Sequence, residues 1–575
     1  MTSLITQPQL LTTAAADAQQ INSAISQARA AAAGPTTSVV AAAEDEISAI
    51  TAQLFGAYGQ QYQTLLQQAS VFHDSFVATL SSAANAYAGA EAAASNLLGT
   101  VEADAQALVG GGGALPRAAA NIGLIIGSSG LPVPPPSYVS AVLNWVNFPN
   151  PQVLAANAQA LFTPEGEYPL TGVKSLPVNT SVSQGVSILE SAINQQITSG
   201  NTVSVLGYSQ SAVIASLVMR DILNGTYPYT VPETGQLTFT LLGDLMAPNG
   251  GIFERFAGLT LPSLGYDFYG ATPPNTPYAT NIYTLQYDGY ADFPRYPINF
   301  LSDLNAFAGI YYVHGTYPSI NPSALPPGDT LITLPGSASL PGGTGATNYY
   351  MITQPNLPLL DPLRAIPVIG NPLADLVQPD LTYLVNWGYG NPLYGYSTGP
   401  ANVPTPFGVF PPLSATTALP GLLASGAQQG ATAFVSDISH IGAPSLPSLS
   451  LSSGGGATIG GLSLPTQLPS IPTPDSIIES LQTANTTVTD FFTNAVAQSY
   501  AVLLPTADIA NALLTSLPSY DVNLFLSGIE QAIGGDPTGG LVYAFGAPLA
   551  ADTALLTLAG GFEVEVIANA VTSII

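Results

Sequence analysis

Cysteine is absent from this 575-residue chain, and cations nearly so: seven Lys and Arg stand against 34 Asp and Glu, a formal net charge of −27. Without thiols there is no disulfide scaffold, thiolate zinc site, iron–sulfur cluster or thiol nucleophile. The compartment stays open, because an exported protein can also lack cysteine. Seven cations cannot form a phosphate-neutralising surface, so no nucleic acid partner is expected, and an anionic membrane surface would repel the chain. Charged residues make up 7 % of the sequence, where soluble domains carry roughly a quarter. Histidine is scarce too: any imidazole chemistry must use His73, His314 or His440. Residues 1–28 contain no Lys or Arg, so the cationic start of a Sec signal peptide is missing. The apolar stretch nearest to a membrane span, 541–560, includes Pro548 and Asp552, and an integral helical membrane protein is not expected.

What is present suffices for a core. Hydrophobic residues reach 47 %, with 27 Tyr, 20 Phe and 2 Trp. The 56 glycines and 50 prolines together stay below the roughly 25–30 % that marks low-complexity disorder. The length implies more than one domain.

Composition divides the chain. Residues 1–100 are rich in Ala, Gln and Ser, with apolar positions at helical spacing: Ile21, Ile25, Ile47, Ile50, Leu54, Leu65, Phe72, Phe76 and Leu80. Gly34-Pro35 breaks that pattern and predicts two long helices in an antiparallel hairpin. Such a hairpin has an apolar face and little core of its own, so it should dock on a partner. Residues 101–120 hold Gly110 to Gly113 and read as a linker. Over 121–410 short apolar runs alternate with helical stretches. Strands are predicted at 122–127, 203–206, 237–242 and 282–287, and helices at 137–146, 181–198 and 211–223. This βαβα order predicts an α/β domain with a mostly parallel sheet. Residues 411–475, dominated by Pro, Ser, Gly and Leu, read as a linker with little regular structure. Residues 476–575 become apolar and helical again.

The strongest chemical signal is Gly207-Tyr208-Ser209-Gln210-Ser211, between the strand at 203–206 and the helix at 211–223. A serine on a sharp strand-to-helix turn is the nucleophile elbow of α/β-hydrolases, and the helix N-terminus behind it offers N–H groups to an oxyanion. A hydroxyl needs a base to become a good nucleophile. In this fold the chain order is Ser, acid, His, which leaves His314 and His440 downstream of Ser209. His314 lies inside the α/β region and is the expected base; His440 lies in the Ser/Pro/Gly-rich segment. Asp292 is the favoured acid, in Asp288-Gly289-Tyr290-Ala291-Asp292-Phe293-Pro294 after the strand at 282–287, with Asp288 and Asp244 as alternatives. The oxyanion donors expected are the backbone N–H of Gln210 and one from Gly127-Ser128-Ser129-Gly130, taken at Ser128. No His/Asp cluster has metal-ligand spacing and no phosphate loop is present, so no cofactor is expected.

Several of these residues also carry a family resemblance. The N-terminal hundred residues resemble a mycobacterial PE domain through Pro8, the Ala-rich helices, Ala33-Gly-Pro-Thr-Thr37, Phe72-His73 and Tyr87-Ala-Gly-Ala-Glu91. The last of these is similar to the YxxxD/E signal of type VII (ESX) secretion, at Tyr87 and Glu91; the name-giving Pro-Glu is Pro8-Gln9 here. Residues from about 121 to 410 resemble the PE-PPE domain, a cutinase-like serine α/β-hydrolase module. The matching pieces are Gly207-Tyr-Ser-Gln-Ser211, Gly243-Asp244, Pro248-Asn-Gly-Gly251, Tyr287-Asp-Gly-Tyr-Ala-Asp-Phe-Pro294 and Tyr312-Val-His-Gly315. The resemblance implies a secreted or cell-envelope protein that acts on acyl esters or lipids as an esterase or lipase, or passes the acyl group to a cell-wall glycolipid. It also implies pairing of the hairpin with a PPE protein or a secretion chaperone, and peripheral association with the envelope. The alternative is a non-catalytic surface protein whose hydrolase fold is only a scaffold.

Overall fold

The computed structural model describes residues 33–34, 52, 119–440 and 501–574. The hairpin expected over 1–100, with His73, Tyr87 and Glu91, the glycine run 110–113 and the segment 441–500 lie outside the described residues.

Nine strands are described: β1 (Asn121–Ile125), β2 (Ala158–Ala160), β3 (Thr202–Tyr208), β4 (Leu237–Leu242), β5 (Thr260–Leu261), β6 (Tyr266–Asp267), β7 (Ala279–Leu285), β8 (Thr330–Thr333) and β9 (Thr347–Thr353). Seven form one sheet in the order β2-β1-β3-β4-β7-β9-β8, and β5 and β6 form a small antiparallel pair. Every neighbouring pair in the large sheet is parallel except β8 with β9. The central strand β3 is buried on both faces from Val203 to Tyr208. That explains why it reads as a continuous apolar run rather than an alternating one.

Alternate side chains feed two cores. On one face Val203, Val205, Phe239 and Ile282 pack with Leu189 and Ile193 of α2 (Val178–Thr198) and with Ile214 and Val218 of α3 (Gln210–Asn224). On the other, Leu206, Leu242, Tyr283 and Leu285 pack with Val142 and Trp145 of α1 (Pro136–Val146) and with Tyr317. Val205 and Leu206 are both fully buried, and truncating Leu206 to Ala should cost about 2–5 kcal/mol. The order strand, turn, α3 places Gly207 to Ser211 at the carboxyl end of the central strand, where ligands of open α/β sheets bind.

Residues 413–440 correct one expectation. Instead of a linker without regular structure they form α6 (Leu413–His440), packed on α5 (Gly370–Trp387). Two glycines of this helix serve close approach. A Cβ at Gly426 would lie 2.1 Å from Asp380 Oδ1, and one at Gly430 1.9 Å from the Leu376 carbonyl oxygen.

Two further helices close the chain: α7, described over Ala501–Ile533, and α8 (Pro537–Ile574). Both are long and apolar enough to cross a membrane by length and composition. They pack on each other, and α8 also packs on α4 (Phe300–Tyr312), where Phe562 meets Phe307 edge-on at 5.7 Å between centroids. Ala551, Ala554 and Leu558 of α8 are buried, while Leu514, Ile533 and Phe545 are exposed.

Candidate active site

Ser209 stands at the sharpest point of the β3–α3 turn, with φ 59° and ψ −122°. A non-glycine residue held there costs on the order of 1–3 kcal/mol, and such strain concentrates at functional sites. The turn closes because residue 207 has no side chain: a Cβ would lie 2.5 Å from the Ser211 carbonyl oxygen. Ser211 locks it by donating its hydroxyl to the Tyr208 carbonyl at 3.0 Å and accepting the Tyr208 N–H at 2.8 Å.

His314 opens the 3-10 turn His314–Ser319 that follows α4. Its Nε2 lies 2.8 Å from Ser209 Oγ. Its Nδ1 lies 2.9 Å from both carboxylate oxygens of Asp288. Three aromatic residues fix this loop. Tyr208 donates its hydroxyl to the His314 carbonyl, Trp145 donates its indole N–H to the Tyr317 carbonyl at 3.1 Å, and Tyr290 meets the imidazole edge-on at 4.7 Å. Gly243, at φ +53°, makes room for the ring: a Cβ there would lie 2.9 Å from His314 Cε1.

The acid beside His314 is therefore Asp288, not Asp292. Asp288 also accepts the Tyr317 hydroxyl at 2.8 Å and the Tyr290 N–H at 3.0 Å, so its oxygens are supplied with donors in an otherwise apolar interior. Asp292 points elsewhere, accepting the Tyr287 N–H at 3.0 Å. Burial pushes its carboxyl well above the ordinary range, an effect that the Tyr287 N–H and the nearby Arg255 guanidinium only partly offset. Asp244 is also buried and separate from the imidazole. It accepts the Met246 N–H at 3.0 Å and the Thr272 hydroxyl at 2.6 Å, and burial raises it to about 7. His440 ends the exposed helix α6, its Nδ1 2.7 Å from the Ser436 carbonyl oxygen.

Gln210 is the first residue of α3, where backbone N–H groups have no acceptor within the helix. Its side chain was not singled out in the sequence, yet it ties the rim together. Gln210 Nε2 donates to Ser129 Oγ at 3.2 Å and to the Gly166 carbonyl at 2.8 Å, and Oε1 accepts the Ser181 hydroxyl at 2.8 Å. From the 127–130 loop Ser129 lines the cleft at Ser209, and the Ser128 carbonyl accepts the Leu131 N–H at 2.9 Å. Glu167 lines the same cleft and accepts the Tyr266 hydroxyl at 2.8 Å; burial raises its carboxyl. Tyr208, Tyr317 and Glu167 were missed in the sequence. The only signal for Tyr317 was its position three residues after His314.

Residues 155–390 match the PE-PPE domain, and residues 4–94 match the PE family. Esterase PE16 of Mycobacterium tuberculosis is 45 % identical over 405 residues, spanning 70 % of this chain and 71 % of its own length. PE family protein PE3 of the same organism is 41 % identical over 451 residues, 78 % of this chain and 91 % of that one. This chain belongs to the PE family. The uncharacterized PPE family protein PPE28, again from M. tuberculosis, is 49 % identical over 459 residues; this chain spans 79 % of itself and 66 % of that protein in the match. In this PE family member the sheet begins before the matched PE-PPE segment, since β1 and the 127–130 loop precede residue 155.

Proposed function

We propose that this protein is a serine esterase acting on acyl esters, with Ser209 as nucleophile, His314 as general base and Asp288 as the acid that orients it. The observation that carries the reading is the 2.8 Å approach of His314 Nε2 to Ser209 Oγ, continued by the 2.9 Å contact of Nδ1 with Asp288. Ser209 Oγ attacks the ester carbonyl carbon while His314 Nε2 takes its proton. Asp288 accepts the Nδ1–H and stabilises the imidazolium. The Gln210 N–H, with a donor from the 127–130 loop, receives the oxyanion. Collapse of the tetrahedral intermediate breaks the bond to the leaving alkoxide, which takes the proton from Nε2. Water activated by the same imidazole then attacks the acyl-enzyme, releasing the carboxylic acid and restoring Ser209.

The test is hydrolysis of p-nitrophenyl butyrate by wild type and Ser209→Ala. A fall of about 10⁴-fold or more in kcat is expected. Equal rates, or fluorophosphonate labelling that persists in Ser209→Ala, would overturn the reading.

Membership of the PE family supports two further parts of the proposal: export by type VII secretion to the cell envelope, using Tyr87 and Glu91, and pairing of residues 1–100 with a PPE protein and a secretion chaperone. Co-purification with a co-expressed PPE protein, lost when residues 1–100 are deleted, tests the pairing.

A further inference from the structure

Two spaces meet beside Ser209. One is the small cleft at the nucleophile, walled in part by Ser129, Glu167 and Gln210. The other is an apolar cavity between the PE-PPE body and the C-terminal helices. Phe253, Tyr266 and Tyr290 line both. Since the Tyr290 ring also lies edge-on to His314 at 4.7 Å, the cavity starts within one ring of the imidazole that contacts Ser209.

The far side of the cavity is built by the tail. Ala512 and Leu513 come from α7, and Leu555, Ala559 and Phe562 from α8. Among the described residues no charged side chain lines it. Residues Ala512–Ser516 leave α-helical geometry for a π turn, a local irregularity that recurs at functional sites, and it falls where α7 faces the cavity. The tail is seated by specific polar contacts. Tyr168 donates its hydroxyl to Asp508 Oδ2 at 2.6 Å, and Ser263 donates to the Asp508 carbonyl at 2.8 Å. An apolar space next to a nucleophile, with a polar cleft between, has the chemistry of an acyl chain whose ester group stays at the serine.

We propose that α7 and α8 complete an acyl-chain pocket for Ser209, so that the PE-PPE body supplies the bond-breaking groups and the tail supplies chain-length selectivity. This rests on the esterase reading of Ser209. Burial of each methylene should strengthen binding about fourfold, so blocking a few positions is easily read.

The experiment uses the full chain and compares p-nitrophenyl acetate with p-nitrophenyl decanoate, alongside binding of the fluorescent fatty acid cis-parinaric acid. Ala559→Trp and Leu513→Trp, on different helices, should each lower the decanoate-to-acetate ratio of kcat/KM by about tenfold or more. Acetate turnover should stay within about threefold of wild type, because the chemistry is untouched. Both variants should weaken cis-parinaric acid binding by at least about tenfold, also in a Ser209→Ala background. Leu556→Trp, at a position 54 % exposed on α8, should change neither. If the tryptophan variants do not fold, Ala559→Leu provides a smaller plug with the same expected direction. An unchanged ratio and unchanged fatty-acid affinity would overturn the pocket while leaving Ser209-dependent acetate hydrolysis intact. Acetate hydrolysis that survives Ser209→Ala would overturn the esterase reading, and the fatty-acid arm would still decide the pocket.

Discussion

Asp292 holds the turn on which Asp288 stands. Its N–H donates to the Asp288 carbonyl at 2.6 Å, and its Oδ2 accepts the Tyr287 N–H at 3.0 Å. Tyr287 sits at φ 66°, a region that non-glycine residues rarely adopt. The two carboxylates, four residues apart, thus divide their work: one faces the imidazole and the other holds the backbone that presents it.

This division makes two isosteric substitutions behave differently. Asp288→Asn removes the anionic acceptor of the His314 Nδ1–H and favours the wrong tautomer, so kcat should fall by about 10⁴-fold. Asp292→Asn keeps an oxygen for the Tyr287 N–H and should leave kcat within about tenfold of wild type. Esterase assays on both variants, with thermal melts to establish folding, decide between them. The reverse pattern would return the acid to Asp292.

Buried carboxyls should make the fold less stable as pH rises. Asp244 is raised from 3.8 to about 7 and Glu165 from 4.5 to about 8, in both cases chiefly by burial. A raised folded-state pKa means that the folded chain holds the proton more tightly than the unfolded one. The stabilisation is complete below the unfolded value near 4 and is lost as pH rises through about 7–8. Tm should therefore fall between pH 5 and pH 8. Asp244→Asn mimics the protonated acid, so it should raise Tm at pH 8 by several degrees, on the order of 5 °C, and by less at pH 5. Differential scanning calorimetry of both proteins across this range is the measurement, and an equal Tm difference at both pH values would contradict it.

Ser209 and His314 were legible in the sequence for different reasons. Ser209 lies in a short motif whose strand-to-helix context is itself readable, and His314 was one of only two histidines downstream of it. Asp288 was not separable from Asp292, because which carboxylate faces the imidazole depends on backbone angles at Tyr287, and a tyrosine carries no signature of a positive φ. The helix over Leu413–His440 is not legible because the Pro, Ser, Gly and Leu composition of 411–475 reads as a linker, whereas the close fit of Gly426 to Asp380 and of Gly430 to Leu376 exists only in the fold. The cavity beneath α7 and α8 joins residues more than two hundred positions apart, which local periodicity cannot report.

Tyr317 should matter to Asp288 without touching substrate. Its hydroxyl donates to Asp288 Oδ2 at 2.8 Å and accepts the Leu285 N–H at 2.9 Å, in a fully buried ring. Tyr317→Phe strips a donor from the carboxylate and orphans a buried N–H, so it should cost about 1–3 kcal/mol of stability. It should also lower kcat by about tenfold with KM nearly unchanged. Chemical denaturation and steady-state kinetics check the two effects separately, and a raised KM with full kcat would place Tyr317 at the substrate instead.

Gly243 packs directly against the His314 ring. Its φ of +53° disfavours any side chain, and a Cβ would fall 2.9 Å from His314 Cε1 and 3.2 Å from Nδ1. Those atoms belong to a ring held between Ser209 and Asp288, and Tyr317 Cε2 lies equally close at 3.0 Å, so relief of the clash shifts the imidazole or the tyrosine that supports Asp288. A displacement near 1 Å is enough to cost about 10²-fold in rate. Gly243→Ala should therefore lose about 10²-fold in kcat while the protein still melts cooperatively, with a stability loss on the order of 1–3 kcal/mol from the strained backbone. Fluorophosphonate labelling of Ser209 should slow in parallel, because it needs the same base. Full-rate labelling together with lost ester turnover would mean that the imidazole had not moved, and that the damage lay in the substrate cleft.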